Sequence, residues 1–195
     1  MRRGFVERNT LETKVKVKIN LDGSGKAEID SGIGFLDHML TLFTFHSSFD
    51  LTVKCRGDLQ VDDHHSVEDL GICLGQSFKD ALGEKIGIKR YSTVYIPMDE
   101  SLAYTSVDIS NRPYLVFNVN FKSERIGSMS TQMFKEFFSA FVNESRITLH
   151  INLIYGENDH HKIEAVFKSF ARALREGSEV VSGDISSSKG VLWWI

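Results

Sequence analysis

The sequence predicts an α+β fold made of two similar halves, each a sheet packed on helices. Three observations predict it. Apolar residues alternate with charged ones in some stretches and recur at helical spacing in others, so strands and helices are both present. The hexapeptide Asp63-His64-His65-Ser66-Val67-Glu68 returns as Asp159-His160-His161-Lys162-Ile163-Glu164, a shift of 96 residues. The same shift, without a gap, lays Leu51-Thr52-Val53 on Ile147-Thr148-Leu149, so an internal duplication is expected.

The elements follow in order. From Lys14 to Asn20 the pattern alternates strictly, with Val15, Val17 and Ile19 on one face. The turn Asp22-Gly23-Ser24-Gly25 leads to a short strand through Ala27 and Ile29, and the two read as a hairpin. Leu36, Met39, Leu40 and Phe43 then predict a helix from Phe35 to about Ser47, with Asp37 and His38 in its first turn. Leu51, Val53 and Cys55 mark a strand, and Leu59 and Val61 read as strand-like up to the first histidine pair. Val67, Leu70, Leu74, Phe78 and Leu82 form a helical stripe that ends near Gly83.

The second half repeats the order. Strands are expected at Leu102 to Ile109 and through Leu115, Phe117, Val119 and Phe121; a helix carries Met133, Phe134, Phe137, Phe138 and Phe141. A strand through Ile147, Leu149, Ile151 and Leu153 precedes the second histidine pair and its helix. The expected organisation is one domain over 1–195, with repeats of about 1–90 and 91–185 and a Ser-rich loop that includes 186–190.

Composition narrows the function. A chain of 195 residues can bury roughly 70% of its unfolded surface, enough for a real core. A net charge of -3 provides no basic footprint for nucleic acid. No apolar run approaches the roughly 20 residues needed to span a bilayer, so no membrane partner is expected. The two cysteines, Cys55 and Cys73, both sit in apolar patterns and read as reduced core thiols, which points to a reducing, cytoplasmic compartment.

The repeated unit carries the chemistry. In each copy the first His and the Glu are four apart and share one face of a helix, while the adjacent His points elsewhere. Imidazole with carboxylate suits first-row metals such as manganese, iron, cobalt or zinc. The plainer alternative is a helix start rich in capping residues, but two copies in one register favour metal. Six histidines, His38, His64, His65, His150, His160 and His161, with Glu68 and Glu164, divide into two sets of three His and one Glu. Such sets leave coordination positions open for substrate. His46 and Gln60 are left out of the metal sets.

Several segments together resemble the imidazoleglycerol-phosphate dehydratase family of histidine-biosynthesis enzymes. They are Arg8-Asn9-Thr10-Leu11-Glu12-Thr13, Gly34-Phe35-Leu36-Asp37-His38-Met39-Leu40, the two histidine units, Arg112-Pro113-Tyr114, Ala171-Arg172-Ala173-Leu174 and Ser187-Ser188-Lys189-Gly190. The resemblance covers nearly the whole chain. It departs at Asn111, where the family usually has Gly, at Ser130, where an acid is common, and at the end Trp193-Trp194-Ile195.

The resemblance implies a duplicated unit like the second domain of ribosomal protein S5, two manganese ions per active site, and trimers assembled into a 24-subunit shell with sites at subunit interfaces. It implies dehydration of D-erythro-imidazole-glycerol phosphate to imidazole-acetol phosphate. The catalytic set it implies is Glu12, as proton shuttle, with His64, His65, Glu68, His160, His161 and Glu164. For the phosphorylated imidazole substrate it implies Glu12, His38, His46, Arg90, Arg112, Lys168, Ser187, Ser188 and Lys189, a set that offers charged forks, ammonium groups and hydroxyls to a dianion. Two other readings compete. A dinuclear metallohydrolase would be expected to carry more bridging aspartates, and a non-enzymatic metal-binding assembly protein would show no turnover.

Overall fold

The structure, a computed structural model, describes residues 1–192, so the expected Trp193-Trp194-Ile195 end lies outside it. The first half comprises strands β1 (Arg3–Asn9), β2 (Thr13–Asn20) and β3 (Ala27–Asp30), helix α1 (Gly34–Ser47), β4 (Asp50–Gly57) and helix α2 (His64–Leu82). The second comprises β5 (Tyr91–Met98), β6 (Ser101–Asp108), β7 (Tyr114–Asn118), the small strands β8 (Arg125–Ile126) and β9 (Met129–Ser130), helix α3 (Met133–Ser145), β10 (Thr148–Tyr155) and helix α4 (Asp159–Ser178). The sheets are ordered β1-β2-β4-β3 and β5-β6-β10-β7. These are one topology written twice, three antiparallel strands with a fourth added parallel to the last. The β8–β9 hairpin belongs to the second half alone.

Period-two patterning builds the sheets. Val15, Val17 and Ile19 are buried while Lys14, Lys16 and Lys18 face outward, as alternation requires. The helices cover one face of each sheet, α2 on β1 and β2, α4 on β5 and β6, and the pairs α2/α3 and α1/α4 join the halves. Phe43, Phe78, Phe134, Phe138, Phe141, Phe167 and Phe170 fill the common core. Where α2 crosses α3 there is no room for side chains: a Cβ on Gly71 would lie 2.7 Å from the Phe137 carbonyl oxygen, and one on Gly75 2.5 Å from that of Phe141.

Three strand expectations are corrected. β2 and β3 do not form a hairpin; the turn after Asn20 carries the chain past β4, so β2 lies between β1 and β4 while β3 runs parallel along the far edge of β4. Leu59 and Val61 form no strand, since residues 59–62 make an exposed turn ahead of α2. β7 ends at Asn118, leaving Val119 and Phe121 in the following loop. Four strands escaped the sequence pattern, the short β8 and β9 and, in the large sheets, β1 and β5. In β1 the inward residue is Gly4, whose added Cβ would meet the Ser77 carbonyl of α2 at 1.8 Å, and in β5 it is Ser92. Cys55 and Cys73 are free and buried, and burial pushes their thiols up to about 11 and about 12. No described helix is long and apolar enough to cross a membrane.

Candidate active site

Both histidine pairs begin a helix, each behind a polar side chain that accepts from backbone N–H groups of the first turn. The Asn158 side chain accepts from the backbone N–H groups of His160 (2.9 Å) and His161 (3.4 Å). Asp62, its equivalent in the first half, accepts from His64 N–H at 2.8 Å. The next residues are buried acids that anchor the loop between β7 and α3. Asp63 accepts from Ser130 N–H; Asp159 accepts from Lys122 N–H (2.9 Å), Ser123 N–H (2.8 Å) and the Lys162 ammonium (2.8 Å). The two rings of each pair are nearly perpendicular, 77° for His64/His65 and 76° for His160/His161.

The second pair gathers the tighter donor group. Glu164 Oε1 lies 3.0 Å from His38 Nε2 and 3.0 Å from His160 Nε2, and its other oxygen accepts from the Lys168 ammonium at 2.6 Å. Burial pushes the Glu164 carboxyl up, but the hydrogen bonds from Lys168, His38 and His160 outweigh it and hold the group down at about 2. His38, His160 and Glu164 place their donor atoms within 4.8 Å of one another. The Phe35 ring stands edge-on to the His160 ring at 5.1 Å and gives the cluster an apolar wall. His161 turns away, with Nδ1 2.7 Å from Glu100.

The first pair is looser. His64 Nε2 is 3.7 Å from Glu68, while His65 has Nδ1 at 3.0 Å from Asp58 and Nε2 at 3.8 Å from Glu12. Glu12 sits in the β1–β2 turn, and it lines a recess of about 320 Å³ with Asp58 and Gln60. Buried Asp69 fastens this turn to α2 by accepting from Arg8 Nε (3.0 Å) and the Thr13 hydroxyl. Among the described residues no hydrogen bond, ion pair or ring contact joins the first histidine unit to the second.

Arg90, Arg112, Ser187, Ser188 and Lys189 meet around one cavity of about 780 Å³, although they lie far apart in the chain. Asp108 organises it, accepting from Arg90 at 2.7 Å and Arg112 at 3.2 Å, and Arg90 donates to the Ser186 carbonyl at 2.7 Å. Asn111 adopts the left-handed conformation, φ 64°, that a glycine would also serve there. Lys168 stands instead at the Glu164 cluster. His46 is half-buried, its imidazole pushed down by burial and by Lys168 and Arg172. His150 lies on the outer face of the second sheet, beside Tyr114 and opposite the core residues Leu149 and Ile151, so one chain does not bring it to His38 and His160.

Sequence reasoning passed over Asp58, Asp69 and Glu100. Asp69, three residues past Ser66 on α2 and buried, had a signal as an acid on the apolar side of a helix. Glu100, in the tight Asp99–Glu100 turn, and Asp58 had none, because only folding carries them to the histidines.

A family profile described as Imidazoleglycerol-phosphate dehydratase matches residues 31–174. The chain is 72% identical over 192 residues to the imidazoleglycerol-phosphate dehydratase of Clostridioides difficile strain 630, covering 98% of this chain and 100% of that one. It is 57% identical over 188 residues to that of Clostridium botulinum strain Alaska E43, covering 96% of each. The crystal structure of imidazoleglycerol-phosphate dehydratase from Staphylococcus aureus N315 superposes with a TM-score of 0.82 at 44% identity, covering 92% of this chain and 99% of that one. The Pyrococcus furiosus enzyme in complex with (S)-C348 gives 0.81 at 39%, covering 96% and 100%.

Proposed function

Since the chain belongs to the imidazoleglycerol-phosphate dehydratase family, whose members are hydro-lyases of histidine biosynthesis, we propose that it dehydrates D-erythro-imidazole-glycerol phosphate to imidazole-acetol phosphate with two manganese ions per active site. The observation that carries this reading is the meeting of His38, His160 and Glu164 from two helices. Two imidazole nitrogens and a carboxylate oxygen within 4.8 Å form a donor set suited to a first-row divalent cation. His38, His64, His65, Glu68, His150, His160, His161 and Glu164 would hold the two ions. When bound, manganese supplies Lewis acidity that favours the imidazolate form of the substrate ring and eases loss of its hydroxyl.

The chain's own residues do the rest. Glu12 takes the proton from carbon, from a turn that Asp69 keeps beside His65. Arg90, Arg112, Ser187, Ser188 and Lys189 bind the phosphate, where guanidinium forks, an ammonium and hydroxyls meet a dianion. Phe35 keeps water from one side of the His38–His160 cluster. Lys168 neutralises Glu164, and His46 stands near enough to feel both. All of this belongs to one domain of two repeats, about 1–90 and 91–185, with 186–190 as the substrate loop.

The separation of the two histidine units supports sites completed between subunits, in trimers that build a 24-subunit assembly. His150, on an outer sheet face, is available to a neighbouring chain. The proposed compartment is the cytoplasm, in keeping with two unpaired thiols. Incubating manganese-loaded protein with imidazoleglycerol phosphate should yield the acetol phosphate, and His65→Ala or His161→Ala should lose metal and turnover together. Full metal content and normal turnover in either variant would remove that histidine from the ligand set.

A further inference from the structure

His65 and His161 are the second members of their pairs, and each sets Nδ1 against a carboxylate. Asp58 lies 3.0 Å and 3.2 Å from His65 Nδ1 by its two oxygens, and Glu100 lies 2.7 Å from His161 Nδ1. The two acids are not equivalent in the duplication: Asp58 follows β4, whereas Glu100 lies in the turn between β5 and β6. Different backbone positions thus supply the same contact to equivalent rings. A neutral imidazole has one N–H, and a carboxylate only accepts, so the proton sits on Nδ1 and the lone pair on Nε2. Each Nε2 faces outward, toward Glu12 for His65 and Asp99 for His161, both at 3.8 Å.

We propose that Asp58 and Glu100 are positioning residues that fix the Nδ1–H tautomer of His65 and His161, making Nε2 the metal-donating atom of both rings. The proposal rests on the metal reading above. It adds the donor atom, and two residues outside the ligand set on which metal affinity depends.

Glu100 gives the sharper test because its carboxylate cannot rotate freely. Oε1 already accepts from Glu157 N–H at 3.1 Å and Asn158 N–H at 2.8 Å. In Glu100→Gln the amide oxygen is required at that position, so the amide nitrogen replaces Oε2 and presents a donor to His161 Nδ1. The ring must then carry its proton on Nε2. Asp58→Ala touches no backbone hydrogen bond and serves as a second variant with little risk to folding.

Nitrogen-15 spectra of histidine-labelled, metal-free protein, taken above the range in which imidazole protonates, report the tautomer directly. Manganese(II) titration reports affinity. Wild-type protein should show His161 as Nδ1–H, Glu100→Gln should shift it to Nε2–H, and manganese affinity should fall by about 10- to 100-fold. Asp58→Ala should mix the His65 tautomers and lower affinity severalfold. An unchanged tautomer in Glu100→Gln, or manganese affinity within twofold of wild type in both variants, would overturn the proposal. Wild-type protein that binds no manganese while Glu100→Gln still switches the ring would uphold the orienting role and sink the metal reading alone.

Discussion

His38 and Glu164 stand 126 residues apart in the chain and meet at 3.0 Å, Nε2 to Oε1. The contact joins helix α1 of one repeat to helix α4 of the other, so the donor cluster is also a seam between the halves.

That seam makes a pH prediction. The Glu164 carboxyl is held at about 2 against an ordinary value of 4.5; burial opposes the shift, and Lys168, His38 and His160 overcome it. A carboxyl depressed on folding stabilises the native state above its unfolded pKa and ceases to do so as pH falls through the folded one. In metal-free protein the stability advantage of wild type over Glu164→Gln should be complete near neutral pH and shrink between about 4.5 and about 2. Urea midpoints at a series of pH values measure it. Parallel curves for the two proteins across that range would show that the hydrogen bonds to Glu164 do not stabilise the fold.

Glu12 offers a separation of chemistry from binding. Its side chain is more than half exposed and reaches no closer than 3.8 Å to His65, so little of the fold depends on it. Glu12→Gln keeps the shape and removes the proposed proton acceptor; turnover should drop by roughly 10²-fold or more while substrate still binds. Calorimetric binding beside a rate assay decides, and unchanged turnover would return Glu12 to the role of a surface acid.

How far the sequence revealed this depends on the kind of information involved. The helices were legible because Val67, Leu70, Leu74 and Phe78 recur at a period only a helix explains. The duplication was legible because His64-His65 and His160-His161 keep one register. Strand pairing was not. Nothing local says that β3 lies parallel to β4, since a short turn after Asn20 is equally consistent with a hairpin. β1 was hidden because its inward position is Gly4, small for contact with α2 and silent in a hydrophobic pattern. Asp58 and Glu100 were illegible because their partners are distant or lie across a turn, and an acid in a loop is by default a solvated one.

The cavity proposed for the substrate phosphate predicts a selective loss. Lys189 shares it with Arg90 and Arg112. Lys189→Ala should weaken the phosphorylated substrate by about 1.5–3 kcal/mol, the scale of a charge-assisted hydrogen bond. An imidazole or triazole fragment without phosphate should bind as before. Equal losses for both ligands would mean that Lys189 acts on folding or metal assembly.

The crossing of α2 and α3 sets two effects against each other at Gly75. Alanine is the better helix former by about 1 kcal/mol. Its methyl, however, would sit 2.5 Å from the Phe141 carbonyl oxygen and 2.9 Å from Glu144 Cβ, and the first of these is backbone that cannot swing aside. Overpacking of this kind costs about 1–3 kcal/mol, so Gly75→Ala should destabilise on balance. A urea midpoint above that of wild type would show that the helices part easily there.

Metal and assembly should be coupled. One chain closes His38, His160 and Glu164 into a group, yet leaves His64, His65 and Glu68 apart from it and His150 on an outer sheet face. If cations bind donors from neighbouring chains, they stabilise the assembled state by mass action, and their removal withdraws that stabilisation. Exhaustive chelation should therefore shrink the particle, as light scattering would record, and manganese should restore an assembly of about 24 chains, the size implied by the sequence resemblance, with activity returning in step. A particle that keeps its full mass without metal, or a monomer that turns over substrate with it, would require both ions to be held within one chain and would make His150 an ordinary surface histidine.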